Sequence, residues 1–293
     1  MKTCVSRTPE GVDSLVIEDR PAPGPLGPGQ VRIAMRAASI NYRDFLALSG
    51  AIGVRGPEGL IPCSDGAGEV IETAPDVRRL GVGDRVALVF NPDWIGGPWQ
   101  ATTGVLCRGS GLPGVMQEEM VVHQGEAVVL PQHLDFAEGA ALPCAGVTAW
   151  HALCGATPLL PGMSVLLQGG GGVSVFALQF AKLFGARVIA TASTEEKRQA
   201  CIEEGADHAI DYRGGFVDQV KELTGGKGVD IVYDPIGDKV ADESLRCLAW
   251  CGRLLILGFL GGGPTNIRSN YLLIKGIDAI GVRIGGLNEA DPA

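Results

Sequence analysis

A chain of 293 residues, 46% of them hydrophobic, can fill one large or two ordinary cores. Its 33 acidic and 24 basic side chains give a formal net charge of −9, which excludes a nucleic-acid-binding face as the main function, since phosphate backbones demand a basic surface. The 44 glycines fall at element ends without a collagen period, and the eight cysteines form no C-x-x-C pair. With no apolar stretch in the opening "MKTCVSRTPEGVD", these thiols are expected to be reduced and mostly buried, in a cytoplasmic protein.

Before about residue 135 the chain reads as short strands and turns. "PAPGPLGPGQ" is a Pro/Gly connector, too rich in both for a helix or a central strand. "QVRIAMRAASI" (30–40), "GAGEVIETA" and "DRVALVF" read as strands, the last two bracketing the turn "LGVGD". The stretch 91–114 is a long irregular insertion, of a length that in compact domains usually serves function. The most membrane-like segment, Gly139 to Leu160, contains Pro143, His151 and Pro158 and reads as a buried helix. After about residue 160 strands alternate with helices: "SVLLQ", then Val173–Phe184; "ARVIAT", then Thr194–Glu204; "HAID", then Phe216–Leu223; "DIVYD", then Lys239–Leu248; then "RLLILG". Alternation with continuously apolar strands means a parallel sheet covered on both faces. The expected fold class is α/β, with an antiparallel barrel-like domain over 1–135 and a doubly wound parallel-sheet domain over 136–293.

The stretch "LLQGGGGVSVFALQF" decides the function class. Val173, Phe176, Ala177, Phe180, Ala181 and Phe184 share one helical stripe, so the glycines sit on a strand-to-helix turn. In Gly169-x-Gly171-x-x-Ser174, Gly169 makes the tight turn. Gly171 and Gly172 admit a pyrophosphate to the helix N-terminus at Val173, and Ser174 takes the third glycine position. The pattern predicts dinucleotide binding; the bland alternative is a glycine turn in an unliganded α/β fold. An NAD site usually carries an acid at the end of the second strand to hold the ribose 2′-hydroxyl. Here that position is Ser193, with Lys197 and Arg198 one turn on, which favours NADP(H) over NAD(H). Glu195 and Glu196 oppose a phosphate, and Ser193 with Glu196 also matches a capping box for the next helix.

Taken together, "ASINYRDFLALSG" (38–50), "IPCSDGAGEV" (61–70), "GVGDRV" (81–86), "AALPCAGVTAWHAL" (140–153), "GGGGVSVFALQFAKLFGARVIAT" and "EEGADHAIDY" (203–212) resemble the medium-chain dehydrogenase/reductase superfamily, in its zinc-free quinone oxidoreductase-like branch. The resemblance implies a GroES-like barrel domain and a Rossmann domain, with the active site in the cleft between them. It implies that Ser193, Lys197 and Tyr212 surround the NADPH 2′-phosphate and that Asn41 and Thr148 line the nicotinamide end. Asp44 would support that pocket, and "LGFLGG" (257–262), with Gly258 and Phe259, would pass the ring. A homodimer through the 277–284 strand is implied too. Relatives usually continue past "GGLNEADPA" with a return to the barrel; its loss would weaken the substrate cleft.

Zinc-dependent relatives need Cys, His and Cys ligands. The corresponding positions here are Asn41, Ser64 (beside Asp65) and Ala145, with Cys144 one place off, and the insertion holds only Cys107. Tetrahedral zinc cannot be assembled from these, so no metal is expected. Without a Lewis acid the favoured acceptors are quinones or α,β-unsaturated carbonyls, with donors aimed at the oxygen that gains charge. Asn41, Tyr42 and Thr148 are the candidate donors. Their bland roles are a turn residue, a core ring and a helix cap; His151 reads as a packing histidine. A zinc-free alcohol or aldehyde dehydrogenase and a non-catalytic NADPH-binding protein remain the alternatives.

Overall fold

The computed structural model describes residues 1–7, 11–50, 58–94, 107–155, 158–263, 265–282 and 284. The described residues form two compact units, Met1–Cys144 and Ala145–Ile284.

In the first unit the hairpin β1 (Lys2–Ser6) and β2 (Leu15–Asp19) precedes β3 (Gln30–Ser39), α1 (Tyr42–Ser49), β4 (Asp65–Thr73), β5 (Arg85–Leu88), β6 (Glu119–His123), β7 (Ala127–Val129) and α2 (Phe136–Ala140). Strands β3 to β7 form one antiparallel sheet in the order β6-β3-β4-β5-β7. Alternation along β3 and β4 buries Val31, Ile33 and Val70, which join Val86, Leu88, Met120 and Val122 in one core. Across the sheet, Arg32 on β3 pairs with Glu72 on β4 at 2.8 Å. Helix α2 lies against β3, β4 and β5 and so belongs to this unit. The Gly139–Leu160 stretch, expected as one buried helix, is divided instead into α2, a π-helical turn over Leu142–Gly146 and α3 (Val147–Cys154). Pro143, which has no amide hydrogen to donate, falls within that turn.

From α3 the second unit continues through β8 (Ser164–Gln168), α4 (Gly172–Leu183), β9 (Arg187–Ala192), α5 (Glu195–Glu203), β10 (His208–Asp211), α6 (Val217–Leu223), β11 (Val229–Asp234), α7 (Ala241–Cys247), β12 (Leu248–Ile256), α8 (Ser269–Lys275) and β13 (Asp278–Gly281). All six strands are parallel, in the order β10-β9-β8-β11-β12-β13. Renumbered within the unit this is 3-2-1-4-5-6, the doubly wound order in which chain direction reverses beside the first strand. Successive strand residues feed opposite cores. Val165, Leu167, Val188 and Ile231 pack with α3, α4 and α5, whereas Leu166, Ile189, Val232 and Leu254 pack with α6 and α7. That double burial is why these strands carry no polar alternation.

The expected 277–284 strand appears as β13, paired with β12 along one edge; residue 283 lies outside the described residues. No helix among the described residues is long and apolar enough to cross a membrane.

Candidate functional site

The glycine turn leaves the carboxyl end of β8, next to the reversal in strand order. Gly169 has φ +78, which an L side chain rarely adopts, and its amide donates to Thr191 Oγ1 at 3.1 Å. Gly171 is the N-cap of α4, and no side chain caps that end. Side chains placed on Gly169, Gly170 or Gly171 would meet no atom within 4 Å, so the turn faces open space. The first amides of a 12-residue helix, around Gly172 and Val173, are therefore bare, with the positive end of the helix dipole behind them. Ser174 is buried, and its hydroxyl donates to the Gln168 carbonyl at 3.0 Å. A serine at the third glycine position thus ties α4 back to β8.

At the end of β9 the structure corrects one expectation. The cap of α5 is Thr194, whose hydroxyl accepts from the Lys197 amide at 3.3 Å, and not Ser193. The helix starts one residue later than the Ser193/Glu196 pattern suggests. Among the described residues the half-buried Ser193 side chain makes no hydrogen bond, and the exposed Lys197 has no ion-pair partner. Glu195, one of the two acids set against a phosphate, is held by Arg198 at 2.6 Å. Arg198 also reaches Asp211 at 3.1 Å, fastening α5 to the end of β10 beside the partly exposed Tyr212. Gly169, Gly171, Gly172, Val173, Ser193, Lys197 and Tyr212 thus all lie at the carboxyl ends of β8, β9 and β10.

Gly258 and Phe259 follow β12 at the same edge of the sheet. A Cβ on Gly258 would lie 2.7 Å from the Pro235 carbonyl, so glycine there lets the turns after β11 and β12 approach. Beneath them runs a polar network that sequence reading missed. Gln168 Nε2 donates to Ser244 Oγ at 2.6 Å, and Ser244 Oγ lies 3.1 Å from Asp234 Oδ2. Asp234 Oδ1 accepts the Ile236 and Gly237 amides at 2.9 and 2.8 Å. All three side chains are buried, and burial holds the Asp234 carboxyl above its ordinary range.

In the first unit, Asn41 caps α1. The buried Asp44 accepts the Asn41 amide at 2.8 Å and the Ser64 amide at 3.2 Å, so it fixes the turn carrying Asn41 and Tyr42. Tyr42 is half-exposed and stacks on Phe45, not in the core. Asp65 is fully buried. It accepts from Ser64 Oγ at 2.6 Å and from the Cys144 amide at 2.8 Å, and lies beside the Asn41 side chain. Burial raises its carboxyl to about 6. Asp65 links the start of β4 to the π-helical turn 79 residues later. Thr148 sits half-buried in the first turn of α3 and makes no capping bond, and His151 on that helix is exposed rather than packed. None of the eight cysteines, all of them among the described residues, forms a disulfide. Among the described residues no group of three or more His, Cys, Asp and Glu side chains is arranged to hold a metal.

Two family patterns match the chain: "Alcohol dehydrogenase GroES-like domain" over residues 27–132 and "Zinc-binding dehydrogenase" over 172–293. A zinc-type alcohol dehydrogenase-like protein of Schizosaccharomyces pombe is 34% identical over 95% of this chain and 83% of its own length. A quinone oxidoreductase of Pseudomonas aeruginosa is 36% identical over 87% of this chain and 72% of its own. The crystal structure of an alcohol dehydrogenase candidate from Sinorhizobium meliloti superposes with a TM-score of 0.88 at 35% identity, covering 97% of this chain and 84% of that one. The chain belongs to the medium-chain dehydrogenase/reductase superfamily, in its quinone oxidoreductase-like branch. It is an oxidoreductase of the expected GroES-like plus Rossmann class.

Of the residues weighed above as zinc-ligand positions, Asn41 stands at the N-cap of α1 and Ser64 donates to Asp65. The signal for Asp65 was an acid among small residues in "CSDGAG" at a strand start, but its partner Cys144 is far away in sequence. Its raised carboxyl gives a stability prediction. Because its folded pKa, about 6, exceeds the unfolded value near 3.8, the native state binds the proton more tightly. The associated stability is fully present below about pH 4 and is lost as pH rises through about 6. An Asp65→Asn variant keeps an acceptor for the Cys144 amide and carries no charge. Urea unfolding at both pH values should show the wild type gaining about 1 kcal/mol on this variant between pH 7 and pH 5. A gap that stays constant refutes the buried carboxylate as its source.

Proposed function

We propose that this protein is an NADPH-preferring, metal-independent reductase of quinones or α,β-unsaturated carbonyls. The observation that carries the reading is the open glycine turn with bare helix amides, next to a second strand that ends in Ser193 and Lys197 rather than an acid. In this reading the α4 amides hold the pyrophosphate, with Gly169, Gly171, Gly172 and Val173 as its cradle. Ser193, Lys197 and Tyr212 take the 2′-phosphate, and Gly258 and Phe259 border the nicotinamide. The bound dinucleotide supplies a hydride. Asn41, Tyr42 and Thr148 are proposed as candidate donors to the oxygen that gains charge, with Asp44 positioning the Asn41 turn. Asn41 and Ser64 are not zinc ligands, which removes the usual means of polarising an unactivated ketone or alcohol and favours acceptors already activated by conjugation. The P. aeruginosa relative, a quinone oxidoreductase, supports this acceptor class. The unpaired edge of β13 is the proposed contact of a homodimer.

The S. pombe relative keeps a second reading open, oxidation of an alcohol. A binding titration of NADPH against NADH, followed by turnover with quinones, enones and alcohols, separates the two. Tight NADPH binding with quinone or enone turnover is expected. NADP⁺-dependent alcohol oxidation alone would replace the reading, and NADPH binding without any turnover would reduce it to a binding protein. Sedimentation velocity on the same sample should show a dimer; a monomer at micromolar concentration counts against the β13 contact.

A further inference from the structure

A second pocket lies at the opposite edge of the parallel sheet from the glycine turn, at the amino-terminal ends of β11 and β12. It is lined by Lys221, Lys227, Arg246, Lys275, Trp250 and Tyr271 and encloses about 1040 Å³, counting space open to solvent. Four cations converge here in a chain of net charge −9. None of the four has an ion-pair partner among the described residues, whereas Lys182, Arg198, Arg213 and Arg268 in the same unit all do. Burial, and after it the like charge of Lys221, hold Lys275 below the ordinary lysine range.

The simplest account is that Lys221, Arg246 and Lys275 each sit in the last turn of a helix, α6, α7 and α8, and offset its negative end. That account is insufficient. Each helix end supplies only about half a charge, which leaves a surplus of roughly +2.5, and Lys227 lies on no helix. The aromatic lining is a separate feature. Trp250 is 70% exposed at the pocket wall, and Tyr271, with Lys275 Nζ 6.0 Å from its ring centre, forms part of the lining. An exposed indole beside uncompensated cations offers a flat apolar face and multiple anion contacts at once.

We propose that this pocket is an anion site, separate from the dinucleotide turn, for a phosphorylated ligand that carries a flat ring, in the nucleoside-phosphate class. The phosphates are held among Lys221, Lys227 and Arg246, and the ring lies on Trp250. The proposal does not depend on the reading of the glycine turn.

Isothermal titration calorimetry with ADP, pyrophosphate and adenosine tests it. ADP should still bind a Gly171→Asp variant, whose glycine turn no longer admits a diphosphate, and the further substitutions are made in that background so that only the second pocket is read. Lys227→Gln combined with Arg246→Gln should weaken ADP at least about tenfold, and added salt should do the same. Trp250→Ala should weaken ADP about tenfold while leaving pyrophosphate nearly unchanged. Adenosine should bind at least about tenfold more weakly than ADP. Circular dichroism on each variant confirms that the fold is kept. Absence of ADP heat up to about 5 mM in the Gly171→Asp protein overturns the proposal. So does an ADP affinity unmoved by the double charge substitution. Equal loss of ADP and pyrophosphate on Trp250→Ala overturns the ring assignment.

Discussion

Replacing Gly171 by aspartate is expected to weaken NADPH binding at least about 100-fold while leaving the protein as stable as before, or more so. Both halves follow from one position. Gly171 is the N-cap of α4, with φ −80 and ψ 172, dihedrals open to any L-residue, and a Cβ there meets nothing within 4 Å. Aspartate is among the best N-cap residues. Its carboxylate would accept the free amides of the first turn and complement the dipole, adding about 0.5–1 kcal/mol to the fold. The same event removes the binding site. The amides that would hold a pyrophosphate become occupied, and a negative charge stands where the anion must lie. At 4–5 Å and an effective dielectric between that of protein surface and water, that repulsion alone is on the order of 2–4 kcal/mol, and lost charge-assisted hydrogen bonds add to it. Calorimetric titration with NADPH, beside a thermal melt, reads both quantities. An affinity within about threefold of the wild type would remove the glycine turn from the site and with it the proposed function.

Much of the second unit was legible because its physics is local. Four strand-helix alternations and a closing strand between Ser164 and Ile256 declare themselves through continuous apolar strands and one clear helical stripe, since each strand is buried on both faces. The cap of α5 shows where local reading fails. Ser193 and Thr194 are both good caps, and only the three-dimensional start of the helix selects Thr194. That one-residue shift frees the Ser193 hydroxyl, so an error of register there is an error about the site. Asp65, Asp234 and the Gln168–Ser244 bond were not legible. Their burial depends on partners many residues away, and a buried carboxylate is indistinguishable in one dimension from one on a surface turn. Asn41 was legible both as a turn residue and, through the resemblance, as a site residue, whereas Asp44 was read only as support for the pocket; its bond to the Asn41 amide at the start of α1 is visible only in the fold. The two roles coincide, because the acid that fixes the turn also fixes the direction of Asn41.

The end of β9 yields the other large effect. Ser193→Asp should invert cofactor choice, weakening NADPH about 100-fold and strengthening NADH several-fold. The half-buried serine makes no hydrogen bond among the described residues, and the cap of α5 rests on Thr194, so the substitution removes no such contact that holds the helix. What it adds is a carboxylate at the end of the second strand. A ribose 2′-hydroxyl can donate to that group, whereas a 2′-phosphate is repelled by it. Glu195 does not already play this part, because Arg198 holds it at 2.6 Å, and Arg198 is itself anchored by Asp211 at 3.1 Å. Lys197→Ala is the complementary test. Lys197 is exposed and has no ion-pair partner among the described residues, so its attraction to a phosphate is that of a screened surface charge, and its loss should weaken NADPH only about tenfold and leave NADH unchanged. The two substitutions therefore differ in kind: one alters both cofactors in opposite directions, the other alters one alone. Competition titrations with both cofactors at low and high salt resolve them, since the Lys197 contribution should fade with ionic strength while the Ser193→Asp preference for NADH persists. If NADPH and NADH respond equally to Ser193→Asp, the 2′-phosphate does not lie at the end of β9, and the preference for NADPH fails even if the glycine turn holds a dinucleotide.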